Sequence, residues 1–112
     1  MNWNKLSALE QLDDLDKLSN DKPVLIFKHS TRCGVSLRML STFEKDWKES
    51  DTDQISAWHL DLLNHRDISN AIAQRYGVEH ESPQILLIKN GKCVHDASHH
   101  FIDMDEVRKL AA

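Results

Sequence analysis

The sequence predicts an α/β fold, a mixed four-stranded sheet flanked by helices with an extra helix at the N-terminus. Three observations carry it. Two compact apolar segments of strand length, VLIF (24–27) and ILLI (85–88), each begin within two residues of a proline. Segments with helical spacing of apolar residues separate the strand candidates, the pattern of parallel strands joined by crossover helices. Asn90-Gly91 lies between two strand-like runs, the dipeptide signal of a tight antiparallel hairpin.

Length and composition agree. The 112 residues suit one domain, 1–112, because domains typically run to ~100–150 residues. With 40% hydrophobic and 29% charged residues, and only 3 Gly and 2 Pro, the chain is neither low-complexity nor collagen-like. Its uncharged apolar runs, 24–27 among them, are far short of the ~20 residues that span a bilayer, so no membrane role is expected. The opening stretch MNWNKLSALEQLDDLDKL lacks the apolar centre of a secretory signal, which points to the cytoplasm. A net charge of −4 argues against nucleic acid as partner. Two widely separated cysteines form no disulfide framework, in keeping with a reducing compartment.

Residues 7–19 follow Leu6 and repeat leucine at 9, 12, 15 and 18, predicting an amphipathic helix with Ser7 and Glu10 as its capping box. Asn20, Asp21 and Lys22 make a polar turn, and Pro23 opens a strand that runs to His29. Both faces of that strand read as covered, as in a central position. A second helix starts after Gly34 and extends to Glu49, with Val35, Leu37, Met39, Leu40, Phe43 and Trp47 as apolar positions. The polar stretch that follows, ending in SDTDQ (50–54), reads as a connection. Residues 55–62 alternate like a strand, and 67–76 form a helix with Ile68, Ala71, Ile72 and Tyr76 on one face. Gly77 closes that helix as a left-handed cap. Residues 84–89 and 92–97 are the hairpin strands, and 103–110 a closing helix. Right-handed crossovers then place helices on both sheet faces. This is the thioredoxin-like layout. Trp3, Trp47 and Trp58 fit core positions in it, and the acidic clusters Asp13-Asp14-Asp16 and Glu49-Asp51-Asp53 read as solvated faces.

The chemistry points to His29-Ser30-Thr31-Arg32-Cys33-Gly34-Val35-Ser36. Cys33 stands between the carboxyl end of a strand and the first turn of a helix, the edge at which open α/β sheets place ligands and reactive groups. Unpaired helix N–H groups and the positive helix end favour a thiolate there, and Lys28, His29, Arg32 and Arg38 add positive charge nearby in sequence. Ser36, one turn on, is placed to donate a hydroxyl hydrogen bond to the sulfur. A resolving cysteine at position 36 would attack a mixed disulfide on Cys33; with Ser36 there instead, an outside thiol or partner protein must release it. The implied chemistry is monothiol exchange.

Ser82-Pro83-Gln84 opens the third strand beside the Cys33 turn, where a cis Ser82–Pro83 bond would present the Ser82 backbone to an extended substrate. The fourth strand returns to the same edge, so Ser98 and His99 are expected to line the groove that receives a small thiol. Adjacent His99 and His100 make a poor ligand pair, and no metal site is expected. Cys93 lies two residues past the hairpin turn, at the far end of the sheet, too remote to bridge to Cys33.

FKHSTRCGVS (27–36), ESPQILLIKNGK (81–92) and ASHHFI (97–102) together resemble the monothiol bacilliredoxin family, thioredoxin-like proteins of bacteria that use bacillithiol in place of glutathione. The resemblance spans most of the chain. It implies that Cys33 is the exchanging thiol and that Pro83 is the cis-proline; beside it, Arg32, Gly34, Ser36, Ser82, Pro83, Ser98 and His99 are expected to bind substrate. It also implies an activity: removal of bacillithiol from S-thiolated cytoplasmic proteins through a Cys33 mixed disulfide. No bound cofactor is implied, bacillithiol being a co-substrate, and the protein is expected to act as a monomer.

One departure is Gly34, where family members often carry proline after the cysteine. Cys33-Gly34-Val35-Ser36 is also close to the C-G-F-S of monothiol glutaredoxins, which carry iron–sulfur clusters with glutathione. Against that second likeness, Val35 replaces the phenylalanine and Glu81-Ser82-Pro83 replaces T-V-P. A third reading is a non-catalytic thioredoxin-like adaptor, for which Cys33 would be dispensable.

Overall fold

A computed structural model describes residues 1–112. The elements, in order, are β1 (Asn4–Lys5), α1 (Gln11–Leu18), β2 (Val24–His29), α2 (Gly34–Asp46), α3 (Glu49–Gln54), β3 (Ser56–Asp61), α4 (Arg66–Tyr76), β4 (Gln84–Lys89), β5 (Lys92–Ser98), a short 3-10 turn (His99–Phe101) and α5 (Met104–Ala111). The sheet order is β1-β3-β2-β4-β5. β2 runs parallel to β3 and antiparallel to β4, so it is central, as its doubly apolar sequence predicts.

The sheet has five strands rather than the four expected. β1 is only two residues long, too short to show a period, and is held by its parallel ladder to β3 and by Leu6 N–H donating to His59 O at 3.0 Å. The 50–54 stretch is likewise not a plain connection: α2 ends at Asp46 and α3 covers Glu49–Gln54. Its Asp51 is buried and accepts from the Arg108 guanidinium at 2.8 and 2.9 Å. That arginine holds the Asp51 carboxyl below its ordinary value. The other acidic cluster is not simply solvated either, since Arg75 bridges Asp13 and Asp16 at 2.9 Å each. α1 begins at Gln11, later than expected. No Ser7–Glu10 box forms; instead Gln11 Oε1 accepts from the Ser7 and Ala8 N–H groups.

Strand alternation divides the core between two faces. Val24, Ile26, Leu86 and Ile88 pack with Leu12 and Leu15 of α1 and Ile68 and Ile72 of α4. Leu25, Phe27, Ile85 and Leu87 pack with Phe43 of α2 and Met104 and Val107 of α5. Trp58 joins the first face, and Trp3 and Trp47 the second. Gly77 caps α4 with φ of 67°, and Asn90 and Gly91 turn the hairpin with φ of 53° and 74°, the left-handed pair of a tight hairpin. No helix is long and apolar enough to cross a membrane.

Candidate active site

Three sheet elements end at one edge, and they position the candidate site. β2 stops at His29, and Cys33 is the N-cap residue of α2, its carbonyl accepting the Leu37 N–H at 3.0 Å. The Cys33 side chain makes no cap hydrogen bond and is half-buried. It thus stands beside first-turn N–H groups that have no intrahelical partner. The β2–β4 ladder ends at Lys28–Gln84, which brings Pro83 next to His29. The Ser82–Pro83 bond is cis, Pro83 O accepts the His99 N–H at 2.9 Å, and Ser98 pairs with Gln84. Cys33, Ser82, Pro83, Ser98 and His99 therefore share the edge the sequence assigned to them.

Ser36 behaves differently from the sequence expectation. Its side chain is fully buried, its Oγ shares a 2.7 Å hydrogen bond with His29 Nδ1, and it accepts the Ser30 N–H at 3.0 Å. These partners occupy the hydroxyl in place of the Cys33 sulfur. Ser36 braces the loop between β2 and α2 instead of facing a substrate. Burial first, and the neighbouring His59 second, lower the His29 pKa, which keeps that imidazole neutral at neutral pH.

The positive surroundings expected around Cys33 also need correction. Adjacent strand residues point to opposite faces, so Lys28 leaves the α2 side altogether. Lys28 is fully buried toward α4, where Nζ donates to Ser69 O at 3.3 Å and lies 3.4 Å from His80 Nδ1. No carboxylate pairs with it, and burial pushes its pKa down to about 8. With His29 neutral, the exposed Arg32 and Arg38 are the cations left on the loop and the first turns of α2. Ser82 Oγ is buried with no partner, a feature of the site that only the folded chain reveals.

Cys93 sits at the other end of the sheet. It pairs with Ile88, which pairs with Val24, the first residue of β2. Five strand steps separate Val24 from His29, about 16 Å at strand rise. Cys93 Sγ donates to His95 O at 3.2 Å, and burial raises its thiol pKa.

Residues 4–107 match the family described as monothiol bacilliredoxin BrxC. The chain belongs to that family. Among solved structures it is similar to one described as an oxidoreductase with a thioredoxin fold, at 30% identity and TM-score 0.77, covering 96% of this chain and 90% of that one. Malassezia sympodialis thioredoxin matches at 22% identity and TM-score 0.73, over 98% of this chain and 88% of that one. Fasciola hepatica thioredoxin matches at 17% identity and TM-score 0.70, over 96% and 95%. The two thioredoxins show the fold alone. Bacilliredoxin membership and the oxidoreductase fold together support a thiol redox role, and membership decides between the two likenesses that Cys33-Gly34-Val35-Ser36 presents.

Proposed function

We propose that this bacilliredoxin removes bacillithiol from S-bacillithiolated cytoplasmic proteins by monothiol exchange at Cys33. The observation that carries the reading is the isolation of Cys33: a serine braced inside the fold stands at position 36, and the other thiol lies at the opposite end of β2. In the first step the Cys33 thiolate attacks the bacillithiol sulfur of the mixed disulfide. A Cys33–bacillithiol disulfide forms, and the target cysteine leaves as a thiolate that takes up a proton. In the second step an outside low-molecular-weight thiol attacks that adduct, regenerating Cys33 and leaving with bacillithiol as a disulfide. Exchange is redox-neutral at each step, so no bound cofactor is needed. The Ser82 backbone at the cis-proline and the Ser98–His99 edge flank the adduct, and the protein acts as a monomer.

Incubation with a bacillithiol-modified model protein followed by peptide mapping tests this. One bacillithiol mass on the Cys33 peptide, with release of the target thiol, is the expected result. Release without any Cys33 adduct, or no release at all, would leave the adaptor reading in its place.

A further inference from the structure

We propose that the cleft formed by Thr31, Arg32, Leu63, Asn64 and Arg66 is an anion subsite that holds a carboxylate of the small thiol carried on Cys33. This rests on the reading of Cys33 as the exchanging thiol and adds the chemical class of what it carries. The cleft measures about 240 Å³. Sites that enclose a whole drug-sized ligand run to ~300–1,000 Å³, so this one suits one end of a molecule.

Its position follows from the topology. β2 and β3 are parallel and end side by side at His29 and Asp61, and Leu62 N–H donates to His29 O at 3.1 Å. The loop after β2 leads through Thr31 and Arg32 directly into Cys33, while the loop after β3 supplies Leu63 and Asn64 and then Arg66 at the start of α4. The two loops meet over the cleft, one residue from the sulfur-bearing position.

Its charge asks for a counter-ion. Every ion pair of Arg in the fold uses Arg75 or Arg108; Arg32 and Arg66 have none. No carboxylate lines the cleft, although the chain has 18 acidic residues against 14 basic ones. On the loop after β3, Asp61 accepts from Asn64 Nδ2 at 2.7 Å and forms an ion pair with neither guanidinium. Arg32 and Arg66 are both exposed, and two cations lining one small cleft repel each other. A carboxylate between them converts that repulsion into charge-assisted, bidentate hydrogen bonds, with the Thr31 hydroxyl as a further donor.

Single-turnover exchange with three adducts of one cysteine peptide tests this: mercaptosuccinate (anionic), 2-mercaptoethanol (neutral) and cysteamine (cationic). Each rate is divided by that of the same adduct with free cysteine. The anionic adduct is expected to outpace the neutral one about tenfold, one charge-assisted hydrogen bond's worth, with the cationic adduct slowest. Arg66→Gln, Arg32→Gln and 0.5 M salt should each draw that ratio toward one, and Arg66→Lys should keep part of it. A fourth probe, the neutral adduct on a peptide with Glu beside its cysteine, should show no preference. Equal wild-type rates for the three adducts, or a ratio untouched by Arg66→Gln, would overturn the subsite while exchange at Cys33 stands. A preference for the Glu peptide alone would move the carboxylate to the protein target and overturn it too. Exchange with none of the probes would bring down the Cys33 reading and the subsite with it.

Discussion

The two ends of β2 are built from opposite materials. At the start of the strand, Val24 packs with Ile88 on an all-apolar face, and the hairpin beyond is tied down by Asn90 and Gly91 N–H groups donating to Ser19 at 2.9 and 2.8 Å. At the finish, the chain buries Lys28, His29 and Ser30 in succession, with Ser36, Ser69 and Gln84 around them. Buried polar groups cost free energy unless bonded, and a buried lysine without an acid costs most. The half-buried cysteine at the polar end meets unpaired helix N–H groups; the half-buried cysteine at the apolar end bonds its own strand and has a raised pKa. Both cysteines are half-buried, and what each end of the sheet puts around the sulfur separates a proposed reactive thiol from an inert one.

The largest effect should come from Cys33→Ser, which removes the attacking sulfur and returns exchange with a bacillithiol-modified protein to the uncatalysed rate. Substantial residual exchange would erase the contrast between the two thiols. Next comes the apolar end. Ile88→Ala should cost about 2–5 kcal/mol in urea unfolding, because Ile88 is fully buried among large side chains. Folded Ile88→Ala protein should still exchange at Cys33, and a matching collapse of exchange would show that the two ends are not separable.

Lys28→Met tests the polar end. Lys28 titrates near pH 8 when folded and near its ordinary 10.5 when unfolded. Between those values the unfolded chain binds the extra proton, so this group's contribution to stability rises with pH; below about pH 8 its cost is present in full. Lys28→Met should therefore be the more stable protein at pH 7, by up to about 3 kcal/mol. That advantage should shrink from pH 8 toward pH 10.5. An advantage that stays flat with pH would mean that Lys28 keeps its proton and finds a partner inside the fold. The smallest effect belongs to Cys93→Ser, which should leave exchange at the wild-type rate. An intramolecular Cys33–Cys93 disulfide in folded monomer would contradict both the prediction and the strand order.

Local signals were legible where a few residues suffice. The run 24–27, the Asn90-Gly91 turn, the Gly77 cap and the strand–Cys–helix junction at Cys33 each depend on near neighbours, and the thioredoxin-like layout followed from them. Lys28 and His29 mark the limit. Side by side in sequence they read as two charges near Cys33, yet strand alternation, itself readable, sends them to opposite faces, where one is a buried lysine and the other a neutral brace for Ser36.

By itself, the sequence determined the α/β class, the edge that carries Cys33, Pro83, Ser98 and His99, and the absence of a second thiol at position 36. These rest on periodicity, turn chemistry and residue identity, which are local properties. Only the tertiary structure decided that β1 joins the sheet, that Asp51 is buried against Arg108, that the Ser36 hydroxyl turns inward, and that Arg32 and Arg66 share a cleft. Each of those depends on a partner 6 to 57 positions away or on a second loop. Such pairings are set by how the helices close over the sheet, and no short window of residues contains that information.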